Sequence, residues 1–211
     1  MKFGVKITST VEEAKWFDKE NGKTLWQDDI AKERSNSRVA FDPLDEGEPP
    51  PPGYKPIGCH LIFEVKPDLC WKARYVAEGY RSKPPTAMSY ASVVGRGSVR
   101  IGFLLATLNN LDVLAGDIQN AFLNAPCAEK VYFIGGPEWG ALTGRVIVIV
   151  RALYGHKSAG ASWRHHFADF LRSPEMNFFE PKADENVWMK AATFPDGRKY
   201  YTYIFFMLMM Y

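Results

Sequence analysis

The stretch DIQNAFLN, residues 117–124, decides how this chain is interpreted. The apolar residues before it, together with its first two residues, predict a short strand over residues 113–118. Asp117 then lies at the end of that strand, where a rigid backbone would hold its carboxylate. Taken alone, Asp117 also fits a turn on the surface, and Phe122 beside a strand end also fits the core. The sequence on either side is needed to separate these interpretations.

Composition predicts a folded protein with an uneven distribution of charge. The chain has 211 residues, of which 46% are hydrophobic and 14% aromatic, enough for a packed core. Residues 1–50 carry eight Lys and Arg against eleven Asp and Glu, and residues 51–100 carry eight against three. A local excess of positive charge suits a surface that binds phosphates. An ordinary solvated surface is the alternative.

The cysteines and the apolar C-terminal stretch bear on location. Cys59, Cys70 and Cys127 show no CxxC spacing, which argues against a disulfide framework or a zinc site. A reducing compartment is expected, so we predict an intracellular protein, cytoplasmic or nuclear. The apolar residues 200–211 are fewer than the roughly 20 that a spanning helix needs. We therefore expect a buried strand there and no membrane partner.

Periodicity and breakers predict an α+β fold with an antiparallel sheet and packed helices. Thr10 and Glu13 form a capping box that starts a helical region broken at Asn21-Gly22. Four consecutive prolines at 49–52 mark a boundary between a helical linker, residues 1–50, and a second region, residues 51–211. The remaining elements predicted are strands at 60–65 and 71–77, a helix at 98–110 with Ser98 as N-cap, a hairpin of 131–134 with 146–150, a helix at 159–172 and a strand at 200–211.

Four motifs in register carry a resemblance to one family. They are KARYVAEGY (72–80), DIQNAFLN (117–124), RALYGHKSAG (151–160) and, more weakly, ADENVW (183–188). This set resembles the reverse transcriptases of Ty1/copia-type retrotransposons, whose patterns read K-A-R-L-V-A-x-G-[FY], D-[VI]-[KQ]-[TN]-A-[FY]-L-[NQ], A-L-Y-G-L-K-[QS]-[AS]-[PG] and A-D-P-D-V-W. This chain departs at His156, where relatives have leucine, and at Gly160, where many have proline.

The resemblance implies the fingers and palm of an RNA-directed DNA polymerase, truncated at the catalytic hairpin. Such an enzyme transfers a nucleotide from a dNTP to a primer 3′-OH, with Mg²⁺ or Mn²⁺ stabilising the charge that develops. Its implied partners are an RNA or DNA primer-template, the dNTP and the other parts of the pol polyprotein.

The same resemblance implies a role for individual residues. Asp117 matches the first metal ligand, and Phe122 matches an aromatic steric gate that excludes a ribose 2′-OH. A hairpin that folds over the triphosphate is implied to carry Lys66, Lys72 and Arg74, while Tyr154, Gly155 and Lys157 are implied to position template and nucleotide. Alternation along a strand places Lys72 and Arg74 on one face, which suits a polyphosphate. A solvated edge strand protected by lysine remains the alternative.

The family pattern breaks at the C-terminal end of the chain. Relatives carry two further aspartates in a Tyr-Val-Asp-Asp-like hairpin, and Met209 and Met210 stand at those two positions here. A thioether is a soft, neutral ligand that does not hold a hard divalent cation. We therefore predict a chain that is inactive alone. The alternatives are a non-catalytic, nucleic-acid-binding remnant of a decayed element, and an unrelated apolar strand.

A single deleted base explains the methionines. Tyr-Val-Asp-Asp encoded as TAT GTT GAT GAT becomes ATG TTG ATG ATG when one T is lost upstream and the next base is G. That reading gives Met-Leu-Met-Met, the sequence at residues 207–210. Phe205-Phe206, encoded as TTC TTT, would supply the run of T in which slippage is easy. We hypothesise a frameshifted reading frame.

Overall fold

The computed structural model describes residues 2, 4–81 and 89–207. These residues form two compact units. The first unit comprises Met1–Ser89 and Asn120–Trp163, and the second comprises Tyr90–Gln119 and Arg164–Tyr211. The helices are α1 (Val11–Glu20), α2 (Leu25–Ser37), α3 (Arg96–Asn109), α4 (Ala121–Asn124) and α5 (Ala159–Arg172). The strands are β1 (Phe41–Pro43), β2 (Lys55–Pro56), β3 (Cys59–Val65), β4 (Trp71–Ala77), β5 (Val131–Ile134), β6 (Val146–Ile149), β7 (Val187–Thr193) and β8 (Lys199–Phe205).

The N-terminal region folds as two helices, as the capping and breaker residues predict. The Thr10 hydroxyl accepts a hydrogen bond from the amide of Glu13 at 3.1 Å and so caps α1. The Glu13 carboxylate turns back to the amide of Ser9 at 2.9 Å, one residue earlier than the capping-box pattern expects. Gly22, with φ of +59°, supplies the left-handed turn that separates α1 from α2.

Helix α2 packs against the β3–β4 hairpin in the core of the first unit. The Trp26 ring lies 5.4 Å from the Phe63 ring and 6.1 Å from the Trp71 ring, both edge to face. Residues of the N-terminal region therefore share one core with the hairpin. The boundary expected at residue 50 stays a prediction.

The remaining strands of the first unit form a four-stranded sheet in the order β1-β6-β5-β2. The predicted hairpin of β5 and β6 is confirmed as an antiparallel pair, and β1 pairs antiparallel with β6. The short strand β2 pairs parallel with β5, which the prediction of an antiparallel sheet did not include. The predicted β3–β4 hairpin is also confirmed, with Ile62 opposite Arg74 and Glu64 opposite Lys72.

The second unit consists of the β7–β8 hairpin, α3 and the C-terminal part of α5. Its core includes Leu171, Phe178 and Trp188. Helix α3 packs closely on β8 at Gly102. A Cβ at this position would overlap the ring of Phe205, so glycine permits the close approach. Within the part of the chain that the structure describes, no helix has the length and apolar character needed to span a membrane.

Three predicted elements of the second unit need correction. The strand at 113–118 is wrong: this segment has no regular secondary structure and pairs with no described strand, and Leu114 is 93% exposed. An apolar pattern alone does not make a strand, because the backbone N–H and C=O groups also need a partner. Helix α3 begins at Arg96 after Gly95, so Ser98 is not its N-cap. The strand predicted as buried over 200–211 runs from Lys199 to Phe205, where every residue is half-buried or exposed, and residues 208–211 lie outside the described residues.

Candidate nucleotide-binding site

The cationic residues of the predicted site lie on and beside the β3–β4 hairpin. Along β4, half-buried Lys72 and Arg74 alternate with buried Ala73 and Tyr75, so the two cations share the face away from the core. Lys66 follows β3 directly and begins the turn, where its amide donates to the carbonyl of Cys70 at 3.0 Å. The hairpin thus presents two of its three predicted cations on one face.

An aromatic pair lies next to Arg74. The Arg74 guanidinium is 5.5 Å from the centre of the Tyr154 ring, a cation–π distance. The Phe122 ring meets the Tyr154 ring edge to face at 4.9 Å. Tyr154 is 38% exposed, whereas Phe122, on α4, is buried. Three of the residues selected from three separate motifs therefore form one contact chain.

Gly155 allows the backbone after Tyr154 to approach the end of β4. Its φ is +87°, and a Cβ at this position would overlap the carbonyl oxygen of Ala77. The close approach is fixed by a hydrogen bond from the Ala77 amide to the Tyr154 carbonyl at 2.8 Å. Lys157 follows two residues later and is half-buried. Glycine at 155 thus places Tyr154 beside the β3–β4 hairpin.

Two carboxylates that the motifs did not indicate complete the outer edge of β4. Asp29 accepts a hydrogen bond from the amide of Ala73, and Glu33 accepts one from the amide of Tyr75 at 3.1 Å. Burial raises the pKa of Glu33, and the Tyr75 amide partly offsets that effect. The sequence signal was a pair of acids at i and i+4 on α2, which places both on one helix face.

The loop after Gly155 carries a buried histidine, His156, at a position where the family pattern quoted above has leucine. His156 is 6% exposed, its Nδ1 lies 3.7 Å from the Cys127 thiol, and its Nε2 is buried without a hydrogen-bond partner among the described residues. Burial lowers the pKa of His156, while the nearby Glu129 carboxylate opposes the shift. Burial also raises the pKa of Cys127 to about 11, so its thiol stays protonated.

The predicted metal ligand lies in the second unit. Asp117 is exposed on the segment without regular secondary structure that precedes α4. The described residues contain no group of three His, Cys, Asp or Glu side chains that could hold a metal ion. Met209 and Met210 lie outside the described residues.

A family profile described as "Reverse transcriptase (RNA-dependent DNA polymerase)" matches residues 49–196 of this chain. The chain belongs to this reverse transcriptase family. Within it, the sequence is of the copia type. The match covers the β3–β4 hairpin, the 117–124 motif and the loop at Gly155.

Several curated proteins resemble this reverse transcriptase chain. It is 29% identical over 150 residues to the "Retrovirus-related Pol polyprotein from transposon TNT 1-94" of Nicotiana tabacum, covering 66% of the chain and 11% of the relative. It is 32% identical over 117 residues to the "Transposon Ty1-BL Gag-Pol polyprotein" of Saccharomyces cerevisiae, covering 54% and 7%. The chain thus spans about a tenth of the length of its curated relatives. No solved structure matches it.

Proposed function

We propose that residues 51–211 are the fingers and palm of a copia-type reverse transcriptase and that residues 1–50 belong to the segment that precedes the polymerase. The family match from residue 49 supports this division. The parent activity is transfer of a nucleotide from a dNTP to a primer 3′-OH. The other parts of the pol polyprotein, an RNA or DNA primer-template and the dNTP are the proposed partners.

The observation that carries the proposal is the contact chain of Arg74, Tyr154 and Phe122. A guanidinium at the end of this chain can pair with phosphate oxygens, and Lys72 on the same strand face adds a second cation. Lys66, at the hairpin turn, and Lys157, after Gly155, are the other proposed phosphate contacts. The Phe122 ring, held against Tyr154, is the proposed steric gate toward the sugar.

We propose that this chain does not polymerise alone. The catalysis of the family needs divalent ions held by several carboxylate oxygens. Asp117 is the proposed surviving ligand, but no three acidic, His or Cys side chains converge on a site within residues 2, 4–81 and 89–207. Met209 and Met210 offer only thioethers at the positions of the other two ligands. The residues present therefore do not fit a Mg²⁺ or Mn²⁺ pair, and no catalytic step follows from them.

The uneven charge favours a second function, that of a non-catalytic remnant that binds nucleic acid. Residues 51–100 hold the excess of Lys and Arg, and the cations of the hairpin belong to this segment. Binding to the phosphate backbone needs positive charge on one face but no metal. Both functions therefore predict binding to a duplex, and only a chain with an intact metal site would also extend a primer.

Salt-dependent binding tests the part that the two functions share. Fluorescence anisotropy with a labelled RNA–DNA primer-template should give an affinity that falls steeply between about 50 and 200 mM salt. Lys72→Ala should weaken binding and reduce the salt slope by about 1, as for one lost phosphate contact. Lys199→Ala, which removes an exposed lysine from β8, is the matched control. Binding that is independent of salt, or equal losses in both variants, would overturn the assignment.

A further inference from the structure

The turn that leads into β7 ties together the N-terminus of α3, helix α5 and the end of β8. Asp184 Oδ2 accepts hydrogen bonds from the Gly95 amide at 2.9 Å and the Ser98 hydroxyl at 2.6 Å. These bonds satisfy groups at the start of α3, whose N-cap residue, Gly95, has no side chain for the purpose. The other carboxylate oxygen of Asp184 accepts from the Asn186 amide at 3.0 Å.

Asn186 is the centre of this network. It is 2% exposed, and its side chain is hydrogen-bonded at both ends. The Asn186 amide group donates to the Ser92 hydroxyl at 2.9 Å, and its carbonyl oxygen accepts from the Arg164 guanidinium at 3.0 Å. Arg164 also binds the backbone carbonyl of Glu185 at 3.1 Å. A buried polar group that is satisfied in this way fixes one arrangement of its neighbours.

The network reaches the end of β8 through two backbone hydrogen bonds. The Phe206 amide donates to the Asn186 carbonyl at 2.9 Å, and the Phe206 carbonyl accepts from the Val94 amide at 3.2 Å. Both backbone groups of Phe206 are therefore held, one by the 184–186 turn and the other by the segment that leads into α3. Met209 stands three residues further along the chain.

The hydrogen bonds to the Asp184 carboxylate lower its pKa by more than partial burial raises it. Burial raises the pKa of this carboxyl, but the bonds from Ser98, Gly95 and Asn186 lower it further, so the net pKa lies below its usual range. The carboxylate is therefore charged at neutral pH and attracts the positive end of the α3 dipole.

We propose that Asp184 and Asn186 are positioning residues. They act through Phe206 to fix the position of the chain at the end of β8, just before the segment that, by resemblance, holds the second carboxylate pair in relatives. The importance of that segment rests on the proposed function. The mechanical claim does not, since it concerns only the hydrogen bonds at Phe206 and Val94. ADENVW, the least similar of the four motifs, thereby acquires a structural role.

Amide hydrogen exchange on the whole chain, without substrate, tests the proposal. Asp184→Ala and Asn186→Ala should each accelerate exchange at the Phe206 and Val94 amides by at least about fivefold. The Met189 amide, which donates to Phe179 in the middle of the hairpin, should not change. A residue that only stabilises the unit as a whole would accelerate exchange at all three amides alike.

A rescue variant and a matched control separate positioning from a general loss of stability. Asn186→Asp keeps an acceptor for Arg164 and should restore most of the protection at Phe206. Asp196→Ala removes a comparable capping aspartate at the opposite end of the hairpin, where Asp196 accepts from the Arg198 amide at 3.0 Å. This variant should leave hydrogen exchange at the Phe206 and Val94 amides unchanged.

The outcomes are distinct even where one variant fails to fold. Ser98→Ala, which removes a single donor to Asp184, covers the case in which Asp184→Ala does not fold. It should still accelerate hydrogen exchange at the Phe206 and Val94 amides, by a smaller factor. Unchanged exchange at Phe206 and Val94, or an equal increase at Met189, overturns the proposal. No substrate enters the experiment, so its result is independent of whether the chain binds or extends a primer.

Discussion

His156 is a buried polar residue of the first unit, at a position where the family pattern quoted above has leucine. Its imidazole is buried beside Cys127, and its Nε2 has no partner among the described residues. A buried polar atom without a hydrogen bond costs about 1–3 kcal/mol. Leucine, the residue of the quoted family pattern, has no polar atom and so would not carry that cost.

We predict that His156→Leu raises the free energy of unfolding of the first unit by about 1 kcal/mol at neutral pH. The gain should increase as the pH falls below about 6.5, the usual pKa of histidine. Burial lowers the pKa of His156 in the folded state, so the unfolded chain binds a proton first and acid destabilises the native chain. Native-state exchange of the Ile147 and Ile149 amides in β6 would report opening of this unit.

His165→Leu is the control for this measurement. His165 is exposed on α5 and pairs with Asp169 at 3.3 Å. Its replacement should not reproduce the stabilisation that increases in acid. A gain from His156→Leu that stays constant between neutral pH and pH about 5 would contradict the account of a buried, neutral imidazole.

The contact between α2 and β4 is the main interaction between elements that sequence patterns did not reveal. The amides of Ala73 and Tyr75 point away from β3, and the Asp29 and Glu33 carboxylates take the place of a neighbouring strand. An open edge on a hairpin invites pairing with another chain. Helix α2 therefore both packs on the hairpin and protects its edge.

We predict that Glu33→Ala lowers the free energy of unfolding of the first unit by about 1–3 kcal/mol, because the Tyr75 amide loses its acceptor. Hydrogen exchange at the Tyr75 amide should accelerate more than exchange at the Ile147 amide. Glu33→Gln keeps an acceptor oxygen and should therefore reduce the free energy of unfolding by less than Glu33→Ala does. Glu20→Ala, at the exposed end of α1, is the control and should change neither amide. The account fails if Glu33→Ala and Glu20→Ala give the same exchange.

Local patterns predicted those elements whose partners are close in sequence. The β3–β4 and β5–β6 hairpins and the shared face of Lys72 and Arg74 follow from alternation and turn residues alone. The strand expected at 113–118 fails because a strand also depends on a partner that no local pattern reveals. The contact of Arg74 with Tyr154 was equally inaccessible, since 80 positions separate the two residues.

At the scale of the whole molecule, our proposal that Met209 and Met210 stand in place of a second carboxylate pair leads to a prediction about the gene. We predict that the genomic DNA has a T-rich run at the codons of Phe205 and Phe206 and encodes Tyr-x-Asp-Asp in an adjacent frame just downstream. Sequencing that locus and translating all three frames is the measurement. Codons at 205–206 without such a run, or no Tyr-x-Asp-Asp in either other frame, would refute a single-base deletion.

Primer extension tests the central claim most directly. The chain would be incubated with a labelled RNA–DNA primer-template, all four dNTPs and Mg²⁺ or Mn²⁺, and the products resolved by length, with Asp117→Asn as the control for contaminating polymerase. We predict binding of the primer-template with no extended product, because Met209 and Met210 cannot replace two carboxylates. Extension by the native chain that is lost in Asp117→Asn would contradict this account.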